Sequence, residues 1–167
     1  LYQGMERIPD VCEELYCKDF DLQLGGGAPA TLINLGRLGI SARIATELGT
    51  DMFSEFAKQK FSENNVEPTN LYSGDKIPLN ITSAIILPKD RTFFTYGKGT
   101  INATDESKEM FYNIAKGSKI TLMQLGGFLD VYKKLHNEGT KLVLDTGWDD
   151  EMSFEKYNDF LEVADYY

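Results

Sequence analysis

Two periodicities alternate along this 167-residue chain. Helical spacing opens at residues 29–39, where Leu32, Leu35 and Leu38 recur with Ile33 beside them. Pro29 predicts the first helical position, where its missing N–H has no intrahelical partner to lose, and Gly39 predicts the stop. A short apolar segment, 42–46, reads as a buried strand. Asp51 predicts the cap of a second helix, with Phe53, Phe56, Ala57 and Phe61 on one inward face. Thr104 or Asp105 opens a third, with Met110, Phe111, Ile114 and Ala115 inward, and Leu129, Tyr132, Leu135 and His136 mark a fourth. Strands at 119–125 and 141–145 alternate with these helices. The fold class that follows is α/β, a mainly parallel sheet with flanking helices and right-handed crossovers.

The second periodicity has a repeat of two. Residues 17–24 alternate polar and apolar, residues 70–73 run into a Gly74-Asp75 turn, and 80–87 form a β-rich run. Pro88-Lys89-Asp90 then turns the chain into 92–96. Strands joined by tight turns pair antiparallel, so residues 10–24 and 70–97 predict a small antiparallel β lid, and 25–69 with 98–167 an α/β body. One lid face covers a cleft and the other is wet. Ile85, Leu87, Phe93 and Phe94 either cover a ligand or pack on one another or on a second subunit's lid.

Composition narrows the partners. Apolar residues at 42% and aromatics at 12% are ordinary for a folded domain, and no apolar run approaches the roughly 20 residues of a membrane helix. A net charge of −9 disfavours nucleic acid, which calls for a basic stripe, and gives no attraction to anionic lipid. Cys12 and Cys17 make neither a zinc site nor a disulfide framework and read as reduced thiols in a cytoplasmic protein.

The chemistry gathers at three glycines in a row, Gly25, Gly26 and Gly27, directly before the first helix. Without Cβ atoms the backbone turns tightly or admits a ligand closely, and a helix N-terminus offers free N–H groups to a polar or anionic one. Gly25, Gly27 and Ala30 fit G-x-G-x-x-A, with Glu47 about 20 residues on where a ribose-binding acid belongs. A dinucleotide-dependent oxidoreductase is therefore one reading. The strand before the glycines argues against it, because a Rossmann first strand is buried on both faces whereas residues 19–24 alternate.

A second pattern covers more of the chain. GG…NLGRLG…ELGTD…F resembles the first signature of the ribokinase-like (PfkB) carbohydrate kinases. Ile8-Pro9 and the strand to Leu24 resemble that family's approach to its lid, Asn65-Val66-Glu67-Pro68 the step after its second helix, KITLMQL the strand before a substrate-side loop, and residues 142–145 the next parallel strand. The resemblance implies a kinase that moves the γ-phosphoryl of ATP, with Mg²⁺, onto a sugar hydroxyl. By the same likeness Gly25, Gly26, Gly27, Ala30 and Thr31 border the sugar, with Phe94 and Tyr96 as lid candidates; the apolar lid face separately makes a homodimer through the lid one option.

The departures from the family are specific. The asparagine expected to touch the sugar falls at Ala30 or Thr31, neither of which makes a two-sided amide contact. Gly126 stands where some ribokinases carry a sugar-binding glutamate. In the resembling kinases a strand ending in a sugar-binding aspartate would precede the position of Leu1. The catalytic aspartate, in a G-A-G-D loop, and most of the ATP site come later than Tyr167. The expectation is thus the substrate-side portion of a sugar kinase without its catalytic half, inactive alone, or else a non-catalytic sugar-binding module.

Other candidates carry two readings each. The loops beyond the strand ends are Gly25–Gly27, Gly126-Gly127 and residues 145–150, where ligands of open α/β sheets collect. Asp145, Asp149 and Asp150 either contribute to Mg²⁺ or serve as caps and turn formers. Trp148 is a packing residue or a sugar platform, and Lys98 a solvated lysine or an anion contact. His136 reads as a helix-end cap rather than a base.

Overall fold

The computed structural model describes residues 1–97, 101–147 and 153–167. In chain order the elements are β1 (Tyr2–Gln3), β2 (Asp19–Phe20), α1 (Gly27–Arg37), β3 (Ala42–Thr46), α2 (Met52–Glu63), β4 (Val66–Asn70), β5 (Ile81–Ile86) and β6 (Arg91–Tyr96). They continue through α3 (Asp105–Ala115), β7 (Ile120–Gln124), α4 (Leu129–Asn137), β8 (Lys141–Asp145) and α5 (Phe154–Leu161).

Helix α1 begins at the glycine corner, with Gly26 as its N-cap. Pro29 therefore sits third in the helix and not first: the flexible glycines let the helix start two residues earlier. Leu38 closes α1, and Gly39 follows at φ +79°, the left-handed geometry that a helix stop asks of glycine. In α2 the Asp51 carboxylate accepts from the N–H groups of Phe53 and Ser54 at 3.0 Å each. Asn65, at φ 57°, ends that helix. Ala57 and Phe61 enter the core as the stripe requires, but Phe53 and Phe56 are only half-buried. Thr104, not Asp105, caps α3, exchanging hydrogen bonds with Ser107 in a capping box.

Two parallel pairs carry the body. β3 pairs with β4 from Ala42↔Val66 to Thr46↔Asn70, and β7 with β8 from Ile120↔Lys141 to Gln124↔Asp145. Among the described residues the pairs are not hydrogen-bonded to each other. A contact of 3.4 Å from Arg43 Nη2 to Ser118 Oγ bridges their starting ends. Each pair has its own core. Ile33, Ala42, Ile44, Leu48, Ala57, Phe61 and Val66 form one. Met123, Phe128, Val131, Tyr132, Leu135, Leu142, Leu144 and Phe160 are central to the other. Glu162 caps α5, and the residues after it make a single parallel bridge to β8, Val143↔Tyr166.

The lid is a four-stranded sheet in the order β2-β1-β5-β6. The β5–β6 hairpin runs from Ile81↔Tyr96 to Ile86↔Arg91, as the turn at Pro88 predicts. Three features differ from expectation. Residues 71–73 are not strand, and Asn70 ends β4 in the body. The alternating residues 17–24 are strand only at Asp19–Phe20, and residues Tyr2–Gln3 supply a partner that runs parallel to β5. An Arg7–Glu13 ion pair ties the loop between these two short strands.

Candidate functional site

The N-terminus of α1 is short of capping groups for reasons of sequence. Its N-cap, Gly26, has no side chain, and Pro29 has no N–H at the position a cap would serve. The first intrahelical bond runs from Ala30 N to Gly26 O at 3.1 Å. Gly27 and Ala28 therefore present the free N–H groups of this turn. All three glycines are exposed, and a Cβ at Gly25 meets nothing within 4 Å. Gly26 stands at φ +95°, which a larger residue rarely adopts. The corner is open to a ligand that approaches the backbone.

What faces this corner comes from the other parallel pair. The Cβ position of Gly27 lies 2.2 Å from Asp145 Oδ2 and 3.9 Å from Gln124 Nε2. Gln124 and Asp145 are the last residues of β7 and β8 and stand in register. Residues directly opposite on adjacent strands share a face. Thr121, Met123, Leu142 and Leu144 turn to the buried face, so Gln124 and Asp145 lie on the other, both exposed. Asp145 Oδ1 accepts from Gly147 N at 2.8 Å. The Gln124 N–H donates to the Tyr132 hydroxyl at 3.3 Å, and burial pushes the pKa of that phenol up.

Ala30 and Thr31 lie in the first turns of α1 and are exposed. Phe94 and Tyr96 lie on β6, opposite Ser83 and Ile81, so they share a face. They are 61% and 59% exposed, and the atoms crowding the glycine corner come from Pro29, Asp145 and Gln124 rather than from β6. Tyr2 and Phe20 stand on this same lid face, their rings 5.3 Å apart. Gly126, at φ +144°, is open around its Cβ position. Lys98, Trp148, Asp149 and Asp150 lie outside the described residues. His136 lies in the last turn of α4, and its Nε2 is 3.5 Å from Asp165 Oδ2, in keeping with a helix-end role.

Sequence reasoning placed the glycines and Asp145 at strand and helix ends but missed Gln124. The signal was present: KITLMQ and KLVLD are apolar runs that each end on a polar residue. Among the described residues no group of three or more His, Cys, Asp or Glu is gathered to hold a metal ion. No described helix is long and apolar enough to cross a membrane.

The pfkB family carbohydrate kinase model matches residues 5–165. The chain belongs to the PfkB family of carbohydrate kinases. Solved structures agree on the fold. A PfkB family carbohydrate kinase from Listeria grayi matches with a TM-score of 0.71 at 16% identity, over 99% of this chain and 56% of that one. Ribokinase from Giardia lamblia matches with a TM-score of 0.74 at 13% identity, over 97% and 51%. Fructokinase from Xylella fastidiosa, in a structure with bound ATP, matches with a TM-score of 0.60 at 18% identity, over 86% and 51%. The chain spans about half the length of these kinases. No curated protein matches it.

Membership in this family removes support from the dinucleotide reading, and the local structure supplies the reason. Gly25 follows a two-residue strand that pairs antiparallel with β1, not a buried parallel strand aimed at a pyrophosphate.

Proposed function

We propose that this PfkB chain is the substrate-side portion of an ATP-dependent sugar kinase, and that the glycine corner is where the sugar lies. The observation that carries the reading is the corner itself: exposed glycines, an uncapped helix N-terminus, and open space at Gly25, beside the carboxyl ends of β7 and β8. A polyol hydroxyl accepts from the Gly27 and Ala28 N–H groups and sits against a backbone with no Cβ to exclude it. Gly25, Gly26 and Gly27 are the contacts, with Ala30 and Thr31 on the following turn. Their small side chains leave room without supplying an amide.

Phosphoryl transfer needs in-line positioning of the hydroxyl and stabilisation of charge on the moving group. The described residues serve the first need. ATP, Mg²⁺ and the base that deprotonates the hydroxyl are assigned to the rest of a kinase twice this length, and the location is cytoplasmic. The partner is a small-molecule sugar. A second copy is proposed to dock through the lid, since the face bearing Tyr2, Phe20, Phe94 and Tyr96 is an exposed apolar one. On this reading Phe94 and Tyr96 close over the sugar or bury against the partner lid. Sedimentation equilibrium tests the dimer: a Phe94→Ser, Tyr96→Ser double variant remains a folded monomer where the parent pairs, and equal pairing by both refutes it.

The test of activity is a coupled ADP-release panel on the full-length gene product over ribose, fructose, 2-keto-3-deoxygluconate and nucleosides. ADP release that depends on one of these sugars and is lost in Gly25→Ala supports the reading. Release from none of them, by protein that binds ATP, removes it. A non-catalytic sugar-binding module instead retains sugar affinity without turnover.

A further inference from the structure

We propose that Gln124 and Asp145 form the hydroxyl-reading pair of this site, and that its acceptor is an uncharged polyol and not an acidic sugar. The inference rests on the sugar-site reading above and adds the class of substrate.

Register supplies the pair. Gln124 and Asp145 end neighbouring parallel strands opposite one another, so their Cα atoms are about 4.8 Å apart and their side chains leave the same face. Both side chains reach the first residue of α1, with Asp145 Oδ2 so near Gly27 that a Cβ there would push the carboxylate aside. The carboxylate is oriented, because Oδ1 is turned back to accept from Gly147 N at 2.8 Å. Oδ2 is left on the Gly27 side. Gln124 is held through its backbone by Tyr132, which leaves the carboxamide itself exposed.

The two groups complement a vicinal diol. An ionised carboxylate only accepts hydrogen bonds, whereas a carboxamide both donates and accepts. One sugar hydroxyl donates to Asp145 Oδ2, and its neighbour exchanges donor and acceptor roles with Gln124. Gln124 supplies the amide that Ala30 and Thr31 do not. Charge then selects the ligand. Among the described residues no Lys or Arg forms an ion pair with Asp145. A carboxylate on the acceptor meets that negative charge at contact distance, and although the free N–H groups of α1 attract it, the closer repulsion leaves it bound more weakly than a neutral sugar.

Isothermal titration of the full-length gene product tests this with D-ribose, D-fructose and 2-keto-3-deoxygluconate as probes. The proteins are the parent, Asp145→Asn, Gln124→Ala and Gly25→Ala, each checked for an unchanged thermal melt. The expected result is preference for a neutral sugar, weakened about tenfold or more in Asp145→Asn and in Gln124→Ala. Asp145→Asn also narrows the gap between the neutral sugars and the acid. If a neutral sugar binds the parent, is lost in Gly25→Ala, and keeps its affinity within about twofold in both other variants, the pair is overturned while the sugar site stands. Preference for the acid also overturns it. If folded parent protein binds no sugar, the sugar-site reading falls and the pair falls with it.

Discussion

Replacing Gly36 by alanine sets two effects of opposite sign against each other, and the structure decides between them. Gly36 lies inside α1 and is buried, with no left-handed backbone to excuse a glycine. Helix propensity alone favours alanine by about 1 kcal/mol. A Cβ there, however, lands 1.8 Å from the carbonyl oxygen of Asn64 and 3.5 Å from Val66 Cγ2. The obstacle is backbone, so α1 must lift away from the α2–β4 junction by more than an ångström. Overpacking of this sort costs about 1–3 kcal/mol, more where the obstacle cannot rotate away. Lifting α1 also strains the bond from Arg37 Nε to Asn64 Oδ1, which is 2.7 Å and part-buried. A hydrogen bond to a charged group contributes about 1.5–3 kcal/mol. The clash and the loosened bond exceed the propensity gain, and the variant loses about 2–3 kcal/mol net. In urea titrations followed by circular dichroism the midpoint drops, and the melting temperature falls by roughly 5–10 °C. An alanine variant as stable as the parent, or more so, refutes the close crossing of α1 over Asn64.

Other perturbations have equally definite outcomes. Asp51→Ala removes the acceptor of the Phe53 N, Ser54 N and Ser54 Oγ bonds and lowers stability by about 1–2 kcal/mol in denaturant titration. Burial pushes the Asp51 carboxyl up, but those bonds outweigh it and leave its pKa below the ordinary value. Leu135→Ala empties a position that is 0% exposed and costs about 2–5 kcal/mol by the same assay. Asp165 is held below the usual carboxylate range by Lys141 Nζ at 2.6 Å and by the Leu142 N–H, and Lys141 is raised in turn. The carboxylate's contribution is present above its unfolded pKa, near 4, and lost as pH falls through the lower folded one. The lysine's contribution is present below its unfolded pKa, near 10, and lost as pH rises through the higher folded one. Asp165→Asn therefore lowers the melting temperature at neutral pH and shrinks the loss of stability on acidification; parallel pH curves for parent and variant contradict the pairing.

The body was legible wherever short-range chemistry decides it. β3 and β8 fall where their apolar runs lie, and Asp51 and Thr104 cap the helices they precede, because a cap needs only the next three residues. The lid strand before Leu24 was not legible. Its alternation is real, yet pairing depends on a partner, and that partner is a two-residue strand at Tyr2 with no signal of its own. Pro29 suggested a first helical position from its own geometry, but Gly26 and Gly27 adopt the helix start more freely. The site was half legible. Three glycines announce a backbone approach, whereas the meeting of Gln124 and Asp145 at Gly27 depends on the register of β7 with β8 and on how the two parallel pairs face each other. Neither is a property of any local stretch.

The most direct test of the glycine corner as a polyol site is a ¹⁵N amide titration with D-ribose and D-fructose. Saturable shifts at Gly25, Gly26, Gly27 and Ala28, absent in Gly25→Ala at unchanged stability, are the expected result. Binding that moves amides elsewhere in the chain and leaves those four unmoved contradicts it.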